Sequence, residues 1–246
     1  MKKTNRVIMI IVAVLLTLVL LSTSLVSGIF AKYVITKEAT TTVSLKKFGV
    51  TLTVAKGANV PSGASVILTP TSGDTVKVTV SNVSLAPGES IVELVKFKVE
   101  NKPVVAAKLS VAVTNVTFTN LQVAKDIGGL GTAATYVPLK FTAKVNSTSS
   151  DISTAWYSGD EAGFRKDMLG KIKTAIGSSD TVEDATTSVG ITTTANTAFS
   201  LSTMSIGVNY PASTTVSGLD TDIAGTWLAE QNASVSVTYA VTIAQT

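Results

Sequence analysis

From Ser234 to Ile243 the chain alternates without a slip. Val235, Val237, Tyr239, Val241 and Ile243 fall on one face of an extended backbone, and Ser234, Ser236, Thr238 and Thr242 fill most of the other. Successive side chains of a strand point to opposite faces, so this spacing predicts a strand buried on one side only. The same period recurs upstream. Val76, Val78 and Val80 share a face within Thr75–Val83, and Val95, Phe97 and Val99 alternate with Lys96 and Lys98 within Ile91–Val99. Leu109, Val111 and Val113 predict a further strand, Leu139, Phe141, Ala143 and Val145 another, and Val50–Val54 and Ser65–Leu68 two shorter ones. Turn chemistry separates them: Ser72-Gly73-Asp74, Leu85-Ala86-Pro87-Gly88-Glu89, the break at Asn101-Lys102-Pro103 and the loop Gly128-Gly129-Leu130-Gly131. Aromatic residues are only 6% and charged residues 15%, while Thr, Ser, Val and Ala dominate, a composition suited to half-buried strands. The expected class is mainly β, in one sandwich domain.

One segment has a different period. Phe164, Met168, Ile172 and Ile176 recur every four residues, after Ser158 and Glu161 at capping-box spacing and before Gly177 as a stop. Asp160 and Glu161 at its start and Lys171 and Lys173 near its end suit the helix dipole. A helix over about 160–176, packed against an edge or end of the sandwich, is expected. Residues 177–196, rich in Ser, Thr, Gly and Asp, read as a long surface loop.

The first 31 residues have the layout of a secretion signal. Lys2, Lys3 and Arg6 precede an apolar run from Val7 to Leu21 broken only by Thr17, and small residues lead to Ile29-Phe30-Ala31. Cleavage between Ala31 and Lys32 is expected, with a cut after Gly28 or an uncleaved anchor as the alternatives. The division is thus 1–31 signal, 32–45 N-terminal strand and 46–246 sandwich domain with the helical insertion. In 32–45 one face reads Tyr33, Ile35, Lys37, Ala39, Thr41, Val43, Leu45, again with period two. A location outside the cell follows, with the membrane met only through the signal segment before cleavage.

Composition also removes chemistries. The chain has no Cys and no His, so disulfides, thiolate sites, a Ser-His-Asp triad and a histidine-ligated zinc are out of reach. Its net charge of +4 includes the three basic residues of the signal. Without them 17 Lys and Arg face 16 Asp and Glu, which is no footprint for nucleic acid. Gly128–Gly131 lacks the context of a phosphate loop, and Ser44-Leu45-Lys46-Lys47 matches S-x-x-K by count alone. Asp180, Glu183, Asp184 and Asp220, Asp222 could offer oxygens to calcium, but neither group has EF-hand spacing, and solvated loop carboxylates are the simpler reading. Asn82, Asn115, Asn146 and Asn232 begin Asn-x-Ser/Thr triplets, which are frequent by chance in so hydroxyl-rich a chain. No catalytic residue, cofactor or metal is expected.

Several features together resemble the TasA/camelysin group of bacterial surface proteins. They are the signal ending at Ile29-Phe30-Ala31, the strand Tyr33 to Leu45, the Leu85–Glu89 turn running into Phe97-x-Val99-x-Asn101, and Gln231-Asn232 before a final alternating strand. The resemblance implies a jelly-roll-like sandwich, processing by a SipW-type signal peptidase, and assembly into extracellular biofilm-matrix fibres. It also implies that the N-terminal strand of one copy completes the sheet of the next. On this chain the donor would be Lys32 to about Ser44, with Tyr33, Ile35, Ala39, Thr41 and Val43 filling the groove and Lys37 the misfit. Main-chain bonds would supply affinity and alternate side chains register. The partners implied are further copies of the chain, with an accessory anchor protein or the cell wall as further candidates. The protease label carried by camelysins is not transferred, because without His there is no H-E-x-x-H site. The alternative is a monomeric surface adhesin or wall-associated binding module whose N-terminal strand pairs inside its own sheet.

Overall fold

The structure is a computed structural model that describes residues 42–61, 63–71, 75–83, 92–125, 132–211, 215–216 and 219–246. All of them belong to one compact unit, Ala39–Thr246. The signal segment and the turns at 72–74, 85–89 and 128–131 lie outside the described residues.

The strands are β1 (Thr42–Lys47), β2 (Val50–Lys56), β3 (Ser65–Thr71), β4 (Thr75–Val83), β5 (Val92–Glu100), β6 (Ala107–Thr119), β7 (Gln122–Val123), β8 (Ala134–Val137), β9 (Lys140–Val145), β10 (Thr148–Asp151), β11 (Tyr157–Ser158), β12 (Ser188–Thr193), β13 (Thr203–Asn209), β14 (Thr215–Val216), β15 (Leu219–Asp220) and β16 (Ser234–Gln245). The helices are α1 (Glu161–Ile176) and α2 (Thr221–Glu230). Two antiparallel sheets face each other, one ordered β1-β2-β5-β13-β9-β10 and the other β12-β6-β16-β4-β3. Because β2 to β3, β4 to β5, β5 to β6 and β12 to β13 each cross between sheets, the chain winds around the core in the jelly-roll-like manner expected. Small pairings of β7, β8 and β11 and of β14 with β15 decorate this frame.

The alternating faces explain the sandwich. Val76, Val78 and Val80 of β4 and Val235, Val237, Tyr239, Val241 and Ile243 of β16 are all buried, opposite Leu52, Val54, Phe97, Phe141 and Ile206 of the other sheet. β6 is longer than its alternation suggested. Thr114 is an extra residue between the partners of Thr238 and Tyr239, a bulge that switches the inward face from Leu109, Val111 and Val113 to Val116.

Helix α1 falls where predicted, with a different cap. Asp160, not Ser158, is the N-cap; its carboxylate accepts from the Gly163 N–H at 2.7 Å, while Ser158 ends β11. Glu161 instead accepts from the Phe118 N–H of β6 at 2.8 Å. Gly177 (φ 69°) ends the helix, and the Ser178 N–H returns to the Lys173 carbonyl.

Two expectations need correction. Residues 177–196 are not one loop: Ser188–Thr193 forms β12, with Val189, Gly190 and Ile191 buried against β6. The sandwich also carries a second helix, α2, ended by Asn232 in the left-handed region (φ 52°), which gives the Gln231-Asn232 element a capping role. Strand β13, between β5 and β9, was also not predicted from sequence, nor were the short strands β7, β8, β10, β11, β14 and β15.

Candidate functional site

The two flanks of the sandwich are finished differently. On one, α1 packs against β6 and β12 of one sheet and β9 and β10 of the other. Phe164 sits edge-on to Phe118, Phe141 and Tyr157 at 5.1 to 6.1 Å between ring centroids, and the buried Tyr239 hydroxyl donates to Met168 Sδ at 3.4 Å. Burial drives the Tyr239 phenol far above its ordinary pKa, so it stays a neutral donor.

On the other flank β1 and β3, each the edge of its sheet, lie beside one another. Among the described residues β1 pairs on one side only, with β2, placing Val43 opposite Val54 and Leu45 opposite Leu52. Val43 and Leu45 are buried while Thr42, Ser44 and Lys46 are exposed, so the odd-numbered face is the core face expected from the sequence. β3 carries Ile67, 55% exposed, and Pro70, whose missing N–H is tolerated on an edge strand. Of the proposed donor residues, Val43 is placed in this edge; Tyr33, Ile35, Ala39 and Thr41 lie outside the described residues, as do Ala31 and Lys32 at the expected cleavage point.

Of the acidic residues considered for calcium, Asp180 and Asp184 are committed to other partners. Both oxygens of Asp180 lie 2.8 Å from Lys108 Nζ, and one also accepts from the Gly190 N–H on the outer edge of β12. The hydrogen bond from Lys108 holds the Asp180 carboxyl below its ordinary pKa, against the opposing effect of desolvation. Asp184 accepts from the hydroxyls and N–H groups of Thr186 and Thr187, which lower its pKa in the same way. Glu183 stands exposed in the same loop, Asp220 ends β15 and Asp222 lies in the first turn of α2. Among the described residues no three acidic, His or Cys side chains gather at one point.

Ser44 and Lys47 stand at opposite parity in β1; Ser44 meets Thr53 Oγ1 at 3.3 Å and Lys47 lies over the Phe48 ring, so they form no nucleophile-base pair. Asn146 is a structural clasp that sequence reading treated only as a triplet. Its amide donates to the Ser200 carbonyl, and its oxygen accepts from the N–H groups of Ser202 and Thr203 and from the Ser202 hydroxyl, locking the β9–β10 turn to the start of β13. The signal that could have found it is an Asn-Ser pair between two alternating runs, where Asn readily takes positive φ.

Comparison with protein-family models, with curated proteins and with solved structures gave no match.

Proposed function

We propose that this chain is a secreted structural subunit of extracellular or cell-surface fibres, assembling through its N-terminal segment in the manner of the TasA/camelysin group. The observation that carries the reading is the open flank. The chain enters the sandwich there, through an edge strand whose odd face already lies in the core and whose outer side pairs with no strand of its own sheet among the described residues. A segment of the same period, Tyr33 to Thr41, immediately precedes it. Cleavage at Ala31 by a SipW-type peptidase would release that segment to extend the sheet of another copy, with backbone bonds supplying affinity and alternate side chains the register. The role is structural, with no catalytic step and no cofactor; an accessory anchor protein or the cell wall would hold the fibre to its surface.

Electron microscopy of purified residues 32–246 tests this. Filaments are expected, and their loss on deleting Lys32 to Thr42; unchanged polymerisation of the shortened chain would overturn the strand-exchange mechanism. A second reading rests on the pairing of β1 with β2 inside one chain. It makes the protein a monomeric surface-binding module, and strictly monomeric sedimentation over a wide concentration range would favour it.

A further inference from the structure

Among the described residues the two main sheets end in four edge strands, β1, β10, β12 and β3, and three of them are guarded by charge. β1 carries Lys46 and Lys47, β10 carries Asp151 in an ion pair with Lys140 at 2.8 Å, and the outward Gly190 N–H of β12 is taken by Asp180 at 2.8 Å. β3 (Ser65–Thr71) carries no charged residue, and its Ile67 is 55% exposed. Charge on an edge strand is a common guard against pairing with another chain, and here it is missing. The core also stops short beneath β3. Val66 and Leu68 turn inward but are only half-buried, whereas Val80 and Val78, opposite them on β4, are fully buried.

Pro70 sets which main-chain groups face outward. Having no N–H, it cannot exchange bonds with Val76, so Ile67 and its odd-numbered neighbours bond β4 while Val66, Leu68 and Pro70 turn their groups to the open edge. That edge offers an N–H and a carbonyl at Val66 and at Leu68, and a carbonyl alone at Pro70. A second β3 fits this pattern. In an antiparallel pair centred on Ile67, Val66 lies opposite Leu68 of the other copy and the two exchange both bonds. Pro70 then falls opposite Ala64, whose N–H already donates to the Pro61 carbonyl at 3.1 Å, so the proline that lacks a donor meets a residue whose donor is committed. Ile67 meets Ile67 in a non-hydrogen-bonded pair, where side chains approach most closely, and Ser65 meets Thr69. No like charges are brought together within the pair: Lys77 of β4 lies one strand further in, beside Thr69.

We propose that β3 is a self-association edge, pairing antiparallel with β3 of a second copy across a two-fold axis at Ile67 and joining two five-stranded sheets edge to edge. The inference goes beyond N-terminal strand exchange and does not rest on it, because it uses a different strand and no residue before Pro61. A single strand pair buries less than the roughly 1,200 Å² of a stable complex, so the contact is weak and reversible between free copies. It strengthens where copies are already held together.

The chain has no Cys, so disulfide trapping in residues 32–246 tests this directly, whether or not filaments form. Ile67→Cys should oxidise to a covalent dimer that reducing agent reverses, because the two Cα atoms would lie about 4.5–5.5 Å apart, within disulfide reach. Thr69→Cys alone should give several-fold less dimer, since each copy then faces Ser65. Mixing Thr69→Cys with Ser65→Cys should restore the yield as a heterodimer. Ser44→Cys, exposed on the edge strand β1, should stay monomeric. Ile67→Cys that remains monomeric while its melting temperature matches the unsubstituted chain would overturn the proposal. Trapping of Thr69→Cys alone or of Ser44→Cys as efficient as that of Ile67→Cys would overturn it too, by showing random collision in place of a fixed register.

Discussion

The flank closed by α1 and the flank left open between β1 and β3 belong to the same sandwich and obey opposite rules. At the closed flank, aromatic rings, a buried phenol and a carboxylate finish the edges. Asp180 occupies the outward N–H of Gly190 at the edge of β12, where another chain could otherwise pair. An edge strand offers unpaired backbone groups to any extended segment, and natural proteins cover or charge such edges. At the other flank the cover among the described residues is slight: the exposed residues of β1 are Thr42, Ser44 and Lys46, and Ile67 of β3 is 55% exposed. Among the described residues, strand pairing is blocked on one side, and no described element covers the side where the chain enters β1.

Mutations can break this contrast. Phe164→Ala should cost about 3–5 kcal/mol in urea unfolding, because a fully buried ring with three aromatic neighbours leaves a cavity that sheets on both sides prevent from collapsing. A cost near zero would mean that α1 merely rests on the sandwich. Asp180→Ala should cost about 1–3 kcal/mol, since it strands the Lys108 ammonium and the Gly190 N–H. That cost also depends on pH. The native carboxyl has a lowered pKa, so the unfolded chain binds the proton first as pH falls. Asp180's contribution is complete above its ordinary value of about 3.9 and is lost as pH drops through the lower native value. The stability gap between native protein and Asp180→Ala should therefore be constant from neutral pH to about pH 5 and narrow below about pH 4.

Smaller effects sharpen the comparison. Asp160→Ala removes the cap on α1 and should cost about 1 kcal/mol by thermal unfolding. Ile67→Lys, on the open flank, should change stability by no more than about 0.5 kcal/mol. If filaments form, the same substitution should slow their growth only where β3 is the receiving edge, because a lysine on an edge strand discourages pairing.

Much of the fold was legible because burial on one face writes itself into a chain with period two. β4 and β16 read directly, since each has one wet and one dry face with little interruption. β13 was not predicted although it has the same alternation, with Met204, Ile206 and Val208 buried and Thr203, Ser205 and Asn209 on the other face. β12 was hidden because Val189, Gly190 and Ile191 are all buried in succession. In α2, Gly225 within ten residues gives a weak helical signal, and the helix is held by Ala224 and Leu228 docking on the sandwich. At the open flank, the sequence supplied the parity of Val43 and Leu45, while the neighbouring edge β3 emerged only from strand order.

By itself the sequence determined the mainly β class, the position of α1, the absence of His and Cys chemistry and the face each clear strand turns inward. These follow from local spacing and residue type. Only the tertiary structure decided which strands became edges, that Asp180 closes one of them, and that Ile67 stands exposed on another. Those outcomes depend on contacts between residues far apart in the chain, which no local pattern encodes.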